Sequence, residues 1–277
     1  MNDQIENSEQ LQIQKDNNGN SFTPSNAGNP IEIVFPPDNR TRVKNSSLYP
    51  FNCIGLVEME FPNKKKYTGT GILIADNLVL TAAHNVFDKA DGGKAISVTF
   101  QAGRNGDSMP WGAINAIQIN YPPQWENAGL SNPHIHGNGV IDASELEGRQ
   151  YDYALLTLES APHLGQGVIG VSVESDKILH ELEVNITGYP GDKSPKCSMW
   201  GANGPILKLA PNFLLYKIST YRGESGAGIL AQLKNKPEET SSVGIHIGST
   251  EYESQVYNLA VRITETVIQN LQTWTKK

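Results

Sequence analysis

Three side chains stand far apart in this 277-residue chain, each at the end of an apolar run. His84 follows ILIADNLVLTAA, Asp152 precedes YALLTL, and Ser225 lies in YRGESGAGIL between Gly223 and Gly226. A serine hydroxyl is a weak nucleophile until an imidazole takes its proton. The imidazole works best when a carboxylate fixes its tautomer and supports the cation that forms. Singly, His84 reads equally as a capping or core histidine, Asp152 as a turn residue and Ser225 as part of a loop. Jointly, they suit acyl transfer. Their order, His then Asp then Ser, differs from the Ser, Asp, His order that accompanies a G-x-S-x-G elbow, and Ala227 stands where that elbow ends in glycine.

The glycines add a second requirement of the same chemistry. Attack on a carbonyl builds negative charge on its oxygen, and backbone N–H groups aimed at that oxygen stabilise it. Gly223 can take a conformation that a side chain forbids, letting its N–H converge with that of Ser225. Glu224 is expected to face away from this turn.

These residues need rigid supports, and the chain reads as short strands. Candidate runs are CIGLVEMEF (53–61), GILIADNLVLTA (71–82), AISVTF (95–100), AIQI (116–119), YALLTL (153–158), VIGVSV (168–173), LEVNITGY (182–189), FLLYKIST (213–220) and SVGIHIG (242–248). Gly, Pro, Asn and Asp fill the gaps, so the class is all-β, a sandwich or barrels. A single helical turn is expected around His84. The C-terminus is helical, with Ile263, Val267, Leu271 and Trp274 on one face and Thr264 as cap. Residues 122–150 read as a long irregular surface loop. Residues 1 to about 30 are polar and amide-rich, a flexible leader or pro-segment.

Composition narrows the partners. A net charge of -7 argues against a nucleic-acid partner, and KKK at Lys64–Lys66 reads as a hairpin tip. No run is long enough for a membrane-spanning helix. No signal peptide is visible, which leaves export by another route, retention in the cell, or a sequence given without its leader. Cys53 and Cys197 permit at most one bridge. His134 and His136 form an H-x-H pair, but further ligands at recognisable spacing are missing, so no metal and no cofactor is assigned. Asp142 is the rival to Asp152 for the acidic role.

LTAAHNV, YDYALL and TYRGESGAG resemble the three catalytic blocks of chymotrypsin-like serine peptidases. DNRTRVKNSSLYPF, GYPGDK and YNLAVRITETVIQNLQTW are similar to the mature start, a turn of the second barrel and the closing strand and helix of the V8-type glutamyl endopeptidases of staphylococci and bacilli. The likeness runs from about Val34 to Trp274. It implies a trypsin-like fold of two six-stranded antiparallel β-barrels with a C-terminal helix. The expected division is 1–33 as leader or pro-segment, 34–160 as the barrel with His84 and Asp152, and 161–277 as the barrel with Ser225 and the specificity pocket.

The resemblance further implies His84 as general base and acid, Asp152 as orienter, Ser225 as nucleophile, and the Gly223 and Ser225 N–H groups as oxyanion hole. The pocket for the residue before the cut (P1) would be lined by KISTYRG and SVGIHIG, with Thr220 and His246 donating to an acidic P1 side chain; His246 also reads as an ordinary strand histidine. Gly244 and Gly248 are expected to keep that strand edge open to an extended substrate. The expected protein is a secreted, monomeric zymogen whose substrates are polypeptides cut after Glu or Asp. Its mature terminus falls near Val34, although Glu32 lies one residue earlier than the Ile33–Val34 bond. Two other readings remain: an inactive peptide-binding protein on the same fold, or a serine peptidase with another P1 preference. The chain departs from bacillary members in lacking the cysteines that bracket the histidine, with Tyr67 or Thr68 and Asn85 near those places.

Overall fold

A computed structural model describes residues 33–136, 140–165, 167–233 and 238–276. The expected leader therefore lies outside the described residues, apart from Ile33. Six strands close a first barrel: β1 (Ile54–Glu60), β2 (Lys66–Ala75), β3 (Leu78–Thr81), β4 (Ser97–Ala102), β5 (Ile114–Asn120) and β6 (Ala154–Leu158). Six more form a second: β7 (Glu183–Gly188), β8 (Trp200–Ala210), β9 (Phe213–Tyr216), β10 (Gly228–Gln232), β11 (Thr240–Tyr252) and β12 (Gln255–Arg262). Both follow one connectivity. In each, the first strand pairs with the second and fourth, the third with the second and sixth, and the fifth with the fourth and sixth, all antiparallel.

β1 is buried along most of its length rather than on alternate residues, as in a strand with protein on both faces. Ile54, Leu56, Ile72, Leu80, Phe100 and Leu155 are buried in the core that the first barrel shares with its neighbours. Ile186, Ile206, Leu214, Ile229, Val243 and Ala260 form a second core cluster, within the second barrel. The run 71–82 is two strands, because Asp76 and Asn77 turn the chain between β2 and β3. VIGVSV and FLLYKIST keep only Gly170–Val171 and Phe213–Tyr216 as strand. The longest omission of the sequence reading is β8, WGANGPILKLA, whose Gly, Asn and Pro look like breakers. Its Asn203, Pro205 and Leu207 are exposed while Gly204 and Ile206 are buried, the alternation of a half-buried strand.

The described residues of 122–150 are more ordered than the expected loop. They hold the helices α1 (Pro123–Ala128), α2 (Pro133–His136) and α3 (Ala143–Arg149), and a two-residue strand, Val140–Ile141. Each helix is too short to show a periodic apolar stripe. Trp125 and Arg149 are buried instead, with the guanidinium 5.3 Å from the indole centroid.

After α4 (Asp176–Glu181), the last helix is α5 (Glu265–Thr275), capped by Thr264, whose Oγ1 accepts the Val267 N–H. Ile263, Val267 and Leu271 are buried, and Trp274 packs against Tyr153. Asn270 Nδ2 donates to Tyr153 Oη at 2.6 Å, so the helix braces the residue next to Asp152. Cys53 and Cys197 are free, and burial pushes the Cys53 thiol up to about 12. Among the described residues no helix is long and apolar enough to cross a membrane.

Candidate active site

The barrels are joined by a chain of hydrogen bonds that also fixes the Ser225 turn. Ser225 C=O accepts from the Thr70 N–H and from Asn85 Nδ2, both at 2.9 Å. Thr70 Oγ1 donates to Gly223 C=O (2.7 Å) and accepts the Tyr189 N–H, while Tyr189 Oη reaches back to Ile54 C=O. Thr81 Oγ1 donates to Thr70 C=O and accepts from Asn85 Nδ2. Asn85 thus ties the Ser225 turn to the barrel that carries His84, a role its sequence position did not announce.

His84 sits on a single 3₁₀ turn, Ala83–Asn85, directly after β3. Its Nδ1 lies 2.7 Å from Asp152 Oδ2, and its backbone N–H donates to Asp152 Oδ1 at 2.9 Å. Both side chains are fully buried. A buried carboxylate without such donors would carry a heavy desolvation cost. The remaining ring nitrogen, Nε2, is buried and has no hydrogen-bond partner among the described residues; Ser225 Oγ is not bonded to it. A cation missed in the sequence stands behind Asp152: Arg149 Nη1 is 3.7 Å from Oδ2, and its Nη2 donates to Ser131 C=O. Asp142 is elsewhere, capping α3 through the Ser144 N–H and hydroxyl.

Gly223 has φ +97° and Gly226 φ +91°. A Cβ on Gly223 would lie 2.2 Å from Tyr189 C=O, and one on Gly226 would lie 2.1 Å from Thr70 C=O, so only glycine fits either place. Among the described residues, neither the Gly223 nor the Ser225 N–H donates to a protein acceptor. A cleft of about 530 Å³ lies over this turn, lined by Tyr67, Thr68, Asn85, Arg222, Gly223 and Ser225. A larger cavity, about 970 Å³, lies beside α3 and contains neither His84 nor Ser225.

Glu224 faces away from the turn, as expected, but into the protein. Its side chain is fully buried, 3.6 Å from Arg40, and accepts the Tyr221 N–H at 2.7 Å. Burial pushes its carboxyl up to about 8, with Arg40 the main opposing influence.

Thr220 and His246 are both buried. His246 is held through its Nδ1, 2.7 Å from Tyr216 Oη, and burial, then the nearby His84, bring its imidazole down to about 3. The ring is neutral at ordinary pH. The described N-terminal arm ends against this region: Ile33 C=O accepts from the Thr220 N–H (3.3 Å) and from Asn258 Nδ2 (3.1 Å).

The expectation for the strand edge needs correction. Gly244 lies inside the sheet, where β11 has neighbours on both sides. Gly248 lies just after the point where His246 N–H bonds to Ala227 C=O, and Val140–Ile141 then pairs in parallel with Ser249–Thr250 on β11. The open margin is therefore short.

Of the H-x-H pair, the structure describes the side chain of His136. Its Nε2 is 3.0 Å from Asp91 Oδ2 and 3.6 Å from Asp88 Oδ2, two neighbours that sequence spacing did not suggest. These atoms are close enough to share an ion. The carboxylates are already engaged, Asp91 by Asn63 and Lys65 and Asp88 by the Ala90 and Asn132 N–H groups.

Comparison with known proteins gives a match between residues 69–235 and the family described as the trypsin-like peptidase domain. The glutamyl endopeptidase of Bacillus licheniformis is 28% identical over 91% of this chain and 72% of its own length. A Bacillus subtilis protein named extracellular metalloprotease is 26% identical, covering 87% of this chain and 69% of that protein. Among solved structures, a Glu endopeptidase in complex with MPD superposes with a TM-score of 0.70 at 24% identity, over 88% of this chain and all of that one.

Proposed function

The chain belongs to the trypsin-like peptidase family, and from that premise we propose that this serine endopeptidase cuts polypeptides after glutamate, using His84, Asp152 and Ser225. The observation that carries the reading is the buried His84–Asp152 pair, in which both carboxylate oxygens are committed to one histidine. Donation from Nδ1 leaves Nε2 with its lone pair and no other partner among the described residues.

Nε2 takes the proton of Ser225 Oγ as that oxygen bonds to the scissile carbonyl carbon. Charge moves onto the carbonyl oxygen, where the N–H groups of Gly223 and Ser225 receive it. Nε2 then gives its proton to the departing amine as the C–N bond breaks, leaving an ester on Ser225. Water repeats the cycle through the same nitrogen. The Oγ to Nε2 bond forms as substrate settles, since such contacts tighten in the Michaelis complex. The metalloprotease name of one relative denotes a different chemistry; for this chain, the His–Asp pair beside a glycine-flanked serine supports the serine route.

Glutamate selectivity rests on Thr220 and His246. A buried P1 carboxylate must find donors or forfeit several kcal/mol of hydration (roughly 1–3 kcal/mol for each unmet partner). A neutral imidazole oriented by Tyr216 can donate without itself needing a counter-charge. The glutamyl endopeptidase names among the relatives favour the same choice. Secretion as a monomer completes the proposal, in keeping with the extracellular relative.

A P1 scan with short chromogenic peptides tests it. Glu-P1 peptides are expected to be cut at least about tenfold faster than any neutral P1, and His246→Ala to lose that advantage, roughly 1.4 kcal/mol. Unchanged Glu cleavage in that variant would assign the protein another P1 preference. Fluorophosphonate labelling that survives Ser225→Ala would reject the nucleophile.

A further inference from the structure

We propose that Arg40 is a positioning residue of the reaction: through Glu224 it sets the backbone turn that presents the Gly223 and Ser225 N–H groups. The proposal rests on the assignment of that turn as the oxyanion hole. Glu224 lies between the two donors in the chain, so its side chain is the nearest handle on both. That handle is completely buried; Oε2 accepts the Tyr221 N–H, and Oε1 has no hydrogen-bond partner among the described residues. The Glu224 N–H returns to Tyr221 C=O at 3.0 Å, making 221–224 a closed loop around the carboxylate. Arg40 is the cation within reach, with Nη1 3.6 Å from Oε2.

Arg40 is itself immobilised. Its guanidinium grips Asp192 with two bonds (3.0 and 2.6 Å) and Asp38 with two more, both 2.9 Å, and its side chain is fully buried. It also lies 5.8 Å from the centroid of the Tyr221 ring. Asp192 belongs to GYPGDK, whose Gly191 N–H donates to Arg222 C=O at 2.7 Å. One guanidinium thus holds three pieces together: the N-terminal arm, the 188–193 turn and the loop before the nucleophile. A planar fork with five donors can do this where an ammonium could not. Two sequence blocks noted above, DNRTRV and GYPGDK, acquire a physical purpose. They build a fixed positive post against which the carboxylate of Glu224 is set.

Arg40 touches no reacting atom, so its removal should act through the transition state rather than through substrate affinity. The test uses Arg40→Gln, Glu224→Gln and the double variant, assayed at pH 9, on the alkaline side of the value to which burial raises the Glu224 carboxyl. Cleavage of a Glu-P1 peptide by the parent protein checks the underlying assignment first; the pair is then judged from ratios to the parent. Each single variant is expected to lose tenfold or more in kcat with KM within threefold. A peptide aldehyde, whose hemiacetal places an oxyanion in the same hole, should weaken by the same factor. The double variant should be no worse than the poorer single, the signature of coupled side chains. Multiplying losses in the double variant, or aldehyde affinity that holds while kcat falls, would overturn the proposal. Glu224→Gln keeps the Arg40, Asp38 and Asp192 contacts and the side-chain volume, so it decides alone if Arg40→Gln does not fold: an unchanged kcat there rejects it.

Discussion

Asp152 grips His84 twice, once at ring Nδ1 (2.7 Å) and once at the backbone N–H (2.9 Å). The double contact fixes both the position of the 3₁₀ turn and the rotation of the imidazole about its Cβ–Cγ bond.

Asp152→Asn keeps the shape and removes the preference for a proton on Nδ1. Its kcat is expected to fall by about 10⁴-fold with little change in KM. Steady-state kinetics on a Glu-P1 peptide check this; a loss below about tenfold would return Asp152 to a packing role.

Asn85→Ala deletes the donor shared by Thr81 Oγ1 and Ser225 C=O. The expected cost is about 1–3 kcal/mol of stability, since a buried bond partner is lost from each. Because one of those partners is the carbonyl of Ser225, the proposed nucleophile, activity should fall as well at temperatures where the variant is fully folded. Thermal melts and rates measured on one preparation separate the two effects.

His246 is neutral when folded down to about pH 3, whereas an unfolded histidine takes a proton near 6.5. Its contribution to stability is therefore present above pH 6.5 and is lost as pH falls from there toward 3. Glu224 slopes the other way: folded, it holds its proton up to about 8, so its contribution is present below the ordinary carboxylate range and is lost as pH rises through 8. Melting temperatures of His246→Gln should decline less than those of the parent between pH 6 and 4, and those of Glu224→Gln less between pH 6 and 9.

Ile33 occupies the Thr220 N–H and Asn258 Nδ2 beside the proposed P1 pocket. Removing the chain ahead of Val34 should raise activity on a Glu-P1 peptide at least about tenfold by freeing these donors and creating a new ammonium there. Equal rates for full-length and trimmed protein would refute an inhibitory role for the chain ahead of Val34.

The sequence made the chemistry and the barrel class readable because both depend on local signals. Ser225 lies between glycines, His84 follows one apolar run and Asp152 precedes another, and Thr264 caps a stripe of period 3.6. What it concealed depends on pairings across long separations. Arg149 is an ordinary charged residue until Trp125 folds beneath it. Arg40 meets Glu224 across more than half the chain. β8 hides because Gly201, Gly204 and Pro205 suit a strand only where neighbours crowd one face, and Asn85 shows its use only when the second barrel lies against it.

The pairing of Val140–Ile141 with Ser249–Thr250 has one further result. A polypeptide laid along β11 finds main-chain partners at Ile247 and Gly248 and then meets the enzyme's own backbone. Little of a target's identity upstream of the cut can be read by such a short ledge. Under the proposed reading, choice of cleavage site then falls on the P1 side chain and on whatever follows it.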